Sequence, residues 1–330
     1  MNPTLRFLTF ALAGLSLIST TCVPGRKEES RVVKVGLAHS PTHTLARALE
    51  MFGALLYERS EGRYTIRIFH SSRIGNEKEM QEMLTLGSLE LSLSGVLSNY
   101  EPLFAVFELP YLYRDREHAW KVNRGPIMEG ISSSLHQRGL HLLGFYENGF
   151  RQISNSVRAI ETPEDLRGLM IRTPENPAQI ETIRALGAIP TPMNFSELYT
   201  ALVQGVVDGQ ENPLQNIWAA RLYEAQPHIA ITRHIYNFIY ALVSHRFWES
   251  LPPSDRQLFR ECMEESMHWQ IDAMKSLDQE LEQKMKAEGV AFTYPDQEAF
   301  RAATRPAYAA LYRLLGPRAR EITEQIEAVH

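Results

Sequence analysis

The chain has 330 residues, which is long enough for one large domain or two of moderate size. Hydrophobic residues make up 44% of it and charged residues 22%, values that are ordinary for a globular protein. The formal net charge is -5 and no basic tract is present, so we exclude nucleic acid as a partner.

The N-terminal residues 1–22 have the pattern of an export signal. Arg6 is their only charge, and the apolar run over 7–18 is too short to span a bilayer. Cys22 follows this run, so two outcomes stay open: plain cleavage, or lipoprotein-type cleavage with acylation of Cys22. Both predict a periplasmic location, and the second adds a membrane anchor. Residues 23–31 are expected to form a flexible tail.

Along the chain, the first predicted elements alternate between strand and helix. They are a strand over 32–38, a helix over 44–60, a strand over 64–69, a helix that starts at a capping box of Asn76 and Glu79, and a strand over 89–93. Helices around residues 115–137 and a strand over 140–146 follow. This alternation predicts a mainly parallel sheet covered by helices.

A second series begins near residue 148. It comprises short strands over 151–155 and 169–172, a helix over 176–186, a segment over 189–213 and a helix over 213–225. An apolar strand over 235–243 is expected to run back into the first unit, and residues 254–288 show helical spacing without Gly or Pro. At ~1.5 Å per residue, one such helix would be roughly 50 Å long and would brace two domains. A short strand and two helices complete the chain.

The segment over residues 189–213 is predicted to contain a helix followed by a strand. Asn194 and Glu197 have the spacing of a capping box, and residues 206–207 should enter a sheet. Asn212 then precedes a proline that opens the next helix. A carboxamide at a helix N-terminus is a good candidate to face a polar ligand.

Two arginines stand at the ends of predicted strands. Arg172 ends an apolar strand, and in open α/β sheets ligands collect at the carboxyl ends of strands. An arginine there could clasp a carboxylate through two parallel hydrogen bonds, which a lysine cannot reproduce. Arg151 opens a short strand after a glycine turn. On spacing alone, a surface arginine and a rim salt bridge explain these residues better than a binding site does.

Neither enzyme nor metal chemistry is indicated. The G-x-S-x-G, phosphate-binding, dinucleotide-binding and C-x-x-C patterns are absent. His39 and His43 are four residues apart, but Pro41 lies between them and no third ligand is suggested. With only Cys22 and Cys262, no disulfide framework is possible. We therefore expect no cofactor, no metal and no catalytic residue.

Several segments closely resemble the DctP-type solute-binding proteins, which are the extracytoplasmic receptors of TRAP (tripartite ATP-independent periplasmic) transporters. The strongest matches are PTPMNFSELYTAL at 190–202 and VDGQENP at 207–213. Shorter matches extend the resemblance over about residues 32–328: SRIGNE at 72–77, LGSLE at 86–90, LPYLY at 109–113 and NGFRQISN at 148–155.

The resemblance implies an α/β fold of the two-domain, periplasmic-binding-protein kind, with mixed sheets flanked by helices and a ligand cleft between the domains. Domain I would comprise residues 32–148 and about 236–277, and domain II residues 149–235 and about 278–330. The implied partners are a small carboxylate ligand and the small and large membrane subunits of a TRAP permease. A monomer is expected, with a homodimer as the alternative.

The resemblance also implies roles for individual residues. Arg172 matches the family arginine that pairs with the ligand carboxylate, and Arg151 matches a second family arginine. Asn212 matches a ligand-facing asparagine. Phe195 matches an aromatic residue that lines the pocket, although a place in the core at the start of a helix explains it equally well.

The ligand class depends on further positions. Glu77, Asn176 and His39 could hydrogen-bond the hydroxyls of a sugar acid, although a helix cap or rim position explains each of them as well. Gly95 and Ala38 stand near positions where the sialic-acid branch of the family has an acidic residue and an asparagine, which disfavours sialic acid. We expect a uronate or an aldonate first, and a C4-dicarboxylate or another carboxylate next. A receptor for a sensor protein and an exported enzyme acting on acidic sugars are the alternatives.

Overall fold

The computed structural model describes residues 30–330. The predicted export signal, its Cys22 and residues 23–29 of the predicted tail lie outside this range. Among the described residues, no helix has both the length and the apolar character that crossing a membrane requires.

The described chain alternates strands and helices over most of its length. The strands are β1 (Arg31–Gly36), β2 (Tyr64–Phe69), β3 (Leu91–Ser94), β4 (Leu140–Phe150), β5 (Gln152–Asn155), β6 (Met170–Thr173), β7 (Ile189–Pro192), β8 (Gly209–Asn212), β9 (His228–Ala230), β10 (Tyr236–Ser244) and β11 (Ala291–Thr293). The helices are α1 (Thr44–Arg59), α2 (Glu77–Leu86), α3 (Arg116–Asn123), α4 (Pro126–Ser132), α5 (Pro177–Ala185), α6 (Phe195–Val203), α7 (Leu214–Ala219), α8 (His245–Glu249), α9 (Pro253–Met274), α10 (Leu277–Ala287), α11 (Gln297–Leu315) and α12 (Pro317–Glu327).

The first sheet has five strands in the order β2-β1-β3-β10-β4. β1 pairs in parallel with β2 and β3, which is the parallel arrangement that the alternation of elements predicts. β10 lies between β3 and β4 and is antiparallel to both. Every residue of β10 is buried, which explains its nearly unbroken apolar sequence. The predicted return of this strand to the first unit is confirmed.

The second sheet has six strands in the order β11-β9-β5-β8-β6-β7. β6 is parallel to β7 and β8, whereas β5 is antiparallel to β8 and β9. The chain passes from β4 of the first sheet to β5 of the second with only Arg151 between them. Its backbone N–H donates to Ile235 O at 2.8 Å, just before the chain enters β10 of the first sheet. Arg151 is therefore fixed where the chain crosses between the sheets. Helices flank both sheets, as the predicted α/β fold requires.

The prediction of one helix over 254–288 is wrong, because α9 and α10 divide this stretch. Lys275 N donates to Asp272 O at 3.3 Å instead of reaching one residue further back. Ser276, with φ -111° and ψ -5°, then separates the two helices. α9 packs against α1 and β4, whereas α10 packs against α7 beside the second sheet. The break lets the helices follow different sheets, a long-range demand that local spacing does not reveal.

The predicted strand at residues 206–207 is also wrong. β8 begins only at Gly209, and Val206 is 52% exposed. Asn194 precedes α6 without capping it, and its Nδ2 donates to Glu197 Oε1 at 3.1 Å. β7 and β9 are not predicted. β7 contains Pro190 and Pro192, which argue against a strand, and they are tolerated because β7 lies at the edge of its sheet.

The C-terminal helices pack against both sheet units. α11 packs against α5 of the second unit, but Leu311 near its end is buried in the core of the first. Ala319, Ile322 and Ile326 of α12 belong to that same core. The assignment of all of residues 278–330 to domain II is therefore corrected for this last part, because its apolar side chains are buried against the first unit. The rest of the division into two domains stays a prediction.

β8 can lie between its neighbours because Gly209 has no side chain. A Cβ at this position would lie 2.3 Å from Ser154 O in β5 and 2.8 Å from Ile171 Cδ1 in β6. Ser154 O belongs to the backbone of β5 and is held in the sheet, so it cannot move away cheaply. Residues 211 and 212, which reach the candidate site, depend on this close approach.

We expect Gly209→Ala to lower the free energy of unfolding by about 2–3 kcal/mol, because the backbone of β5 must shift to admit the methyl group. Urea unfolding measures the change. Gly130→Ala is the matched control, since a Cβ added there within α4 meets no other atom within 4 Å. That variant should be as stable as the wild type or slightly more so. Equal stability of the two variants would contradict the role of Gly209.

Candidate ligand-binding site

A cavity lies where the carboxyl ends of strands from the two sheets meet. Residues after β1 and β3 line one side of it, and residues after β6, β7 and β8 line the other. This is the edge at which open α/β sheets place their ligands. The structure brings these predicted site residues to its wall: His39, Glu77, Arg151, Arg172, Phe195 and Asn212.

Arg151 forms a buried ion pair with Glu211. Its Nε donates to Glu211 Oε2, and its Nη2 donates to Oε1 at 2.9 Å and to the backbone carbonyl at 2.6 Å. Arg151 is 2% exposed and Glu211 is 0% exposed. Burial opposes ionisation of Glu211, but Arg151 and His234 outweigh it and lower the pKa of this carboxyl. The positive charge of Arg151 is thus neutralised within the protein, by a partner that the sequence analysis did not identify.

Arg172 is equally buried but has no such partner. It is 2% exposed, and its Nε and Nη2 donate to Met193 O at 3.0 and 2.7 Å. Within residues 30–330, no carboxylate forms a salt bridge with it. Burial lowers its pKa to about 10, so the guanidinium remains charged at neutral pH. Glu211, Glu77 and Glu197 attract this charge without forming a salt bridge with it. A buried cation without a carboxylate in direct contact is costly, and an anion in the cavity would reduce that cost.

Asn212 is held by the protein on several sides. Its Oδ1 accepts from Arg151 Nη2 at 3.2 Å and from Asn216 Nδ2 at 3.0 Å. Its Nδ2 donates to Gln210 Oε1. These bonds fix the orientation of the Asn212 amide beside the ion pair of Arg151 with Glu211. Asn212 lies at the cavity wall, and its contact with a ligand stays a prediction.

Phe195 and His39 face each other from the two sides of the cavity. Their ring centroids are 5.5 Å apart, and the ring of Phe195 lies 5.9 Å from Arg172 Cζ. His39 Nδ1 has no hydrogen-bond partner among the described residues. Burial and the nearby His43 lower the pKa of His39 well below its usual value, so its ring is neutral at pH 7.

Glu77 lies at the start of α2, where its Oε2 accepts from Ser94 Oγ at 3.0 Å and from Gly95 N at 2.9 Å. Burial raises the pKa of this carboxyl, although these hydrogen bonds and Arg172 oppose the shift. Asn176 does not line the cavity. Its Oδ1 accepts from Ala178 N at 2.9 Å and caps α5. The alternative role of a helix cap therefore fits Asn176.

Hydrogen bonds also connect the two sides of the cavity. His43 Nε2 lies 2.8 Å from Asn216 Oδ1, and Thr44 Oγ1 bonds to Gln215 at 3.0 Å. In the part of the chain that the structure describes, no group of three or more His, Cys, Asp or Glu residues is placed to hold a metal ion.

Several polar residues of the wall escaped prediction, namely Asn148, Gln179, Asn216 and Asn237. Asn237 offered a signal, because a polar residue within an otherwise apolar strand needs a buried partner. Glu211 also lay inside a matched segment, directly before Asn212. Gln179 on α5 carried no such signal, since only the packing of that helix brings it to the cavity.

Comparison with known proteins assigns the chain to a family. Residues 35–314 match the family model described as bacterial extracellular solute-binding protein, family 7. The chain belongs to this family. Family 7 proteins are periplasmic, bind small carboxylates and work with the membrane permeases of TRAP transporters. The relatives of this chain are solute-binding transport proteins.

Its relatives within family 7 include proteins with known ligands. The 2,3-diketo-L-gulonate-binding periplasmic protein YiaO of Escherichia coli K12 is 31% identical over 301 residues, which are 90% of each chain. A TRAP solute-binding protein from Polaromonas sp. JS666, solved with D-erythronate, is 32% identical with a TM-score of 0.87, over 91% of this chain and 99% of its own. A TRAP solute-binding protein from Haemophilus influenzae, solved with L-gulonate, is 28% identical with a TM-score of 0.85, over 91% of this chain and 99% of its own.

The two arginines of this family 7 protein should differ in their effect on stability. We expect Arg151→Met to lower the free energy of unfolding by about 3–5 kcal/mol, because Glu211 is left buried without its counter-ion. Arg172→Met removes a buried cation that has no carboxylate partner, so its effect should be within about 1 kcal/mol of zero. Urea unfolding of both variants without added ligand measures the difference. A larger loss for Arg172→Met would contradict this account of the charges.

Proposed function

We propose that the cavity binds a sugar acid and that Arg172 clasps the ligand carboxylate. Among sugar acids, a uronate or an aldonate is the preferred candidate. The observation that carries this proposal is the buried guanidinium of Arg172, which faces the cavity without a carboxylate partner among the described residues. A ligand carboxylate would supply the missing counter-ion through charge-assisted hydrogen bonds. A C4-dicarboxylate or another small carboxylate is the next candidate.

A hydroxylated acid suits the rest of the wall. Buried side-chain atoms of His39 (Nδ1), Asn148 (Oδ1) and Gln179 (Oε1) lack hydrogen-bond partners among the described residues. Buried polar atoms are normally paired, so these atoms favour a ligand that brings hydroxyl groups to them. The relatives named above are associated with D-erythronate, L-gulonate and 2,3-diketo-L-gulonate. Each of these acids combines one carboxylate with several hydroxyl or keto oxygens.

Ligand binding would draw the two domains together. The wall combines residues from both sheets, so one ligand can bond to both sides and favour the closed arrangement. The closed receptor would then deliver its ligand to the small and large membrane subunits of a TRAP permease. We expect it to act as a monomer. A receptor that feeds a sensor protein is the alternative within binding proteins, and an exported enzyme acting on acidic sugars is the alternative from another class.

Export would place the receptor in the periplasm. Residues 1–22, which carry the candidate signal and Cys22, lie outside the described residues. The intact mass of the mature protein separates the two outcomes for this segment. Plain cleavage leaves an unmodified N-terminus, whereas acylation adds the mass of a lipid to Cys22.

We expect Arg172→Ala to weaken binding of the ligand acid by at least about 100-fold, because the variant loses two hydrogen bonds from a charged donor. The acid is chosen by thermal shift from a panel containing D-erythronate, L-gulonate and D-galacturonate, and affinity is measured by calorimetry. Arg172→Lys should fall between the wild type and Arg172→Ala, since it keeps the charge but not the fork of donors.

Arg184→Ala is the control for this comparison. Arg184 lies on the exposed surface of α5, and its salt bridge with Glu181 is far less buried than the pair of Arg151 with Glu211. Its loss should leave affinity unchanged. Wild-type affinity in Arg172→Ala, with the variant folded, would refute the carboxylate clasp.

The bound acid should be recovered unchanged. Mass spectrometry of each stabilising acid after prolonged incubation with the protein tests this expectation. A receptor returns the acid at its original mass and amount, whereas turnover to a product would support the enzyme alternative.

A further inference from the structure

Glu108 is a buried carboxylate directly behind the wall of the cavity. It ends the short 3-10 helix Pro102–Glu108 and is 3% exposed. Its Oε2 accepts a hydrogen bond from Gln179 Nε2 of α5, and Asn237 Nδ2 of β10 lies 3.5 Å away. Asn148 Nδ2 in turn donates to Asn237 Oδ1 at 3.1 Å. Glu108 thus joins a set of amides contributed by both sheet units.

The amides line the cavity, and Glu108 controls which of their atoms are free. Gln179, Asn237 and Asn148 are wall residues, whereas Glu108 is not. An ionised carboxylate can only accept hydrogen bonds, so it holds the amide NH2 groups toward itself. The oxygens Gln179 Oε1 and Asn148 Oδ1 are consequently left without partners among the described residues. These are the acceptors to which a hydroxylated ligand would donate.

Glu108 lacks a counter-ion in direct contact within residues 30–330, although Arg151 lies close enough to attract it. The charged and titratable groups that face it are Arg151 and Glu211 from the second unit and Tyr113 and Tyr240 from the first. Burial raises the pKa of Glu108 to about 7, with Arg151 opposing the shift and Glu211 adding to it. Near neutral pH, this carboxyl is therefore divided between its two protonation states.

We propose that Glu108 is a positioning residue that orients the amides of the ligand cavity and takes up a proton when an anionic ligand binds. The inference rests on the proposed function, because the charge of the bound acid is what favours the neutral carboxyl. A protonated Glu108 keeps a carbonyl oxygen that can still accept from Gln179 Nε2, so the amide keeps its orientation when the charge is lost. The amide orientation and the negative charge of the ligand are thereby linked through one buried group.

Binding affinity measures this linkage. The probe is the acid of the panel (D-erythronate, L-gulonate or D-galacturonate) that gives the largest thermal shift. We expect its Kd for the wild type to rise about three- to ten-fold between pH 6 and pH 8, because proton uptake becomes unfavourable as the pH rises. Calorimetry in buffers of different ionisation enthalpy at pH 7 should show uptake of about half a proton per ligand.

Glu108→Gln keeps the size and hydrogen-bonding capacity of the side chain but cannot titrate. Its Kd should be nearly constant from pH 6 to pH 8 and close to the wild-type value at pH 6. Glu108→Ala should bind more weakly at every pH, because the amides lose their support. Glu58→Gln, on the exposed surface of α1, is the control and should keep the wild-type pH profile. A purely structural role for Glu108 predicts the same profile for the wild type and Glu108→Gln, and that result would overturn the proposal.

A second measurement needs no ligand. A carboxyl whose pKa is raised on folding adds stability at low pH, and this stability is lost as the pH rises from about 4.5 to 7. The Tm of Glu108→Gln relative to the wild type should therefore increase from pH 5 to pH 8. A constant difference would overturn the proton site, whether or not any acid binds. Failure of every acid to bind, combined with an increasing difference, would contradict the proposed function and the coupling while supporting the proton site.

Discussion

The pairing of Arg151 with Glu211 determines the electrostatics of the whole site. Two buried guanidinium groups line one cavity, and burial of both without counter-ions would be very unfavourable. Glu211 neutralises Arg151 where the chain crosses from β4 to β5, so the same contact fixes the crossing between the sheets and the charge of the cavity. Of these two buried arginines, only Arg172 then remains without a carboxylate in direct contact among the described residues. Of the two buried guanidinium groups, one is therefore left to pair with an anionic group of the proposed ligand.

The polar wall adds orientation to this charge. Amides from α5 and β10 bond to Glu108, and the Asn148 amide of β4 bonds in turn to Asn237 of β10. Asn212 is oriented by Arg151 and Asn216. Such networks are rigid when every member is paired, and the remaining unpaired atoms are the ones a ligand can satisfy. Because α5 belongs to the second unit and β10 to the first, the network also spans the two sides that a bound ligand would hold together.

The sequence predicted the parts of this arrangement that depend on local pattern. The strand-end position of Arg172 follows from an apolar strand and a turn, and the buried strand β10 follows from its apolar run. Other features depend on contacts between distant residues. Glu211 is separated from Arg151 by 60 positions, and nothing in local spacing indicates that they pair. The break between α9 and α10 likewise follows from packing on two sheets. Asn176 was predicted as a ligand-binding residue because it follows the Arg172 strand. The structure instead uses its side chain to cap α5.

The central claim is that the site recognises the carboxylate itself. Calorimetry can compare each acid with the neutral compound of the same carbon skeleton, D-erythronate with erythritol and D-galacturonate with D-galactose. Because the Arg172 guanidinium has no carboxylate in direct contact among the described residues, the account predicts that the acid binds and that the neutral counterpart binds at least about 100-fold more weakly. Equal affinity for an acid and its neutral counterpart would contradict it.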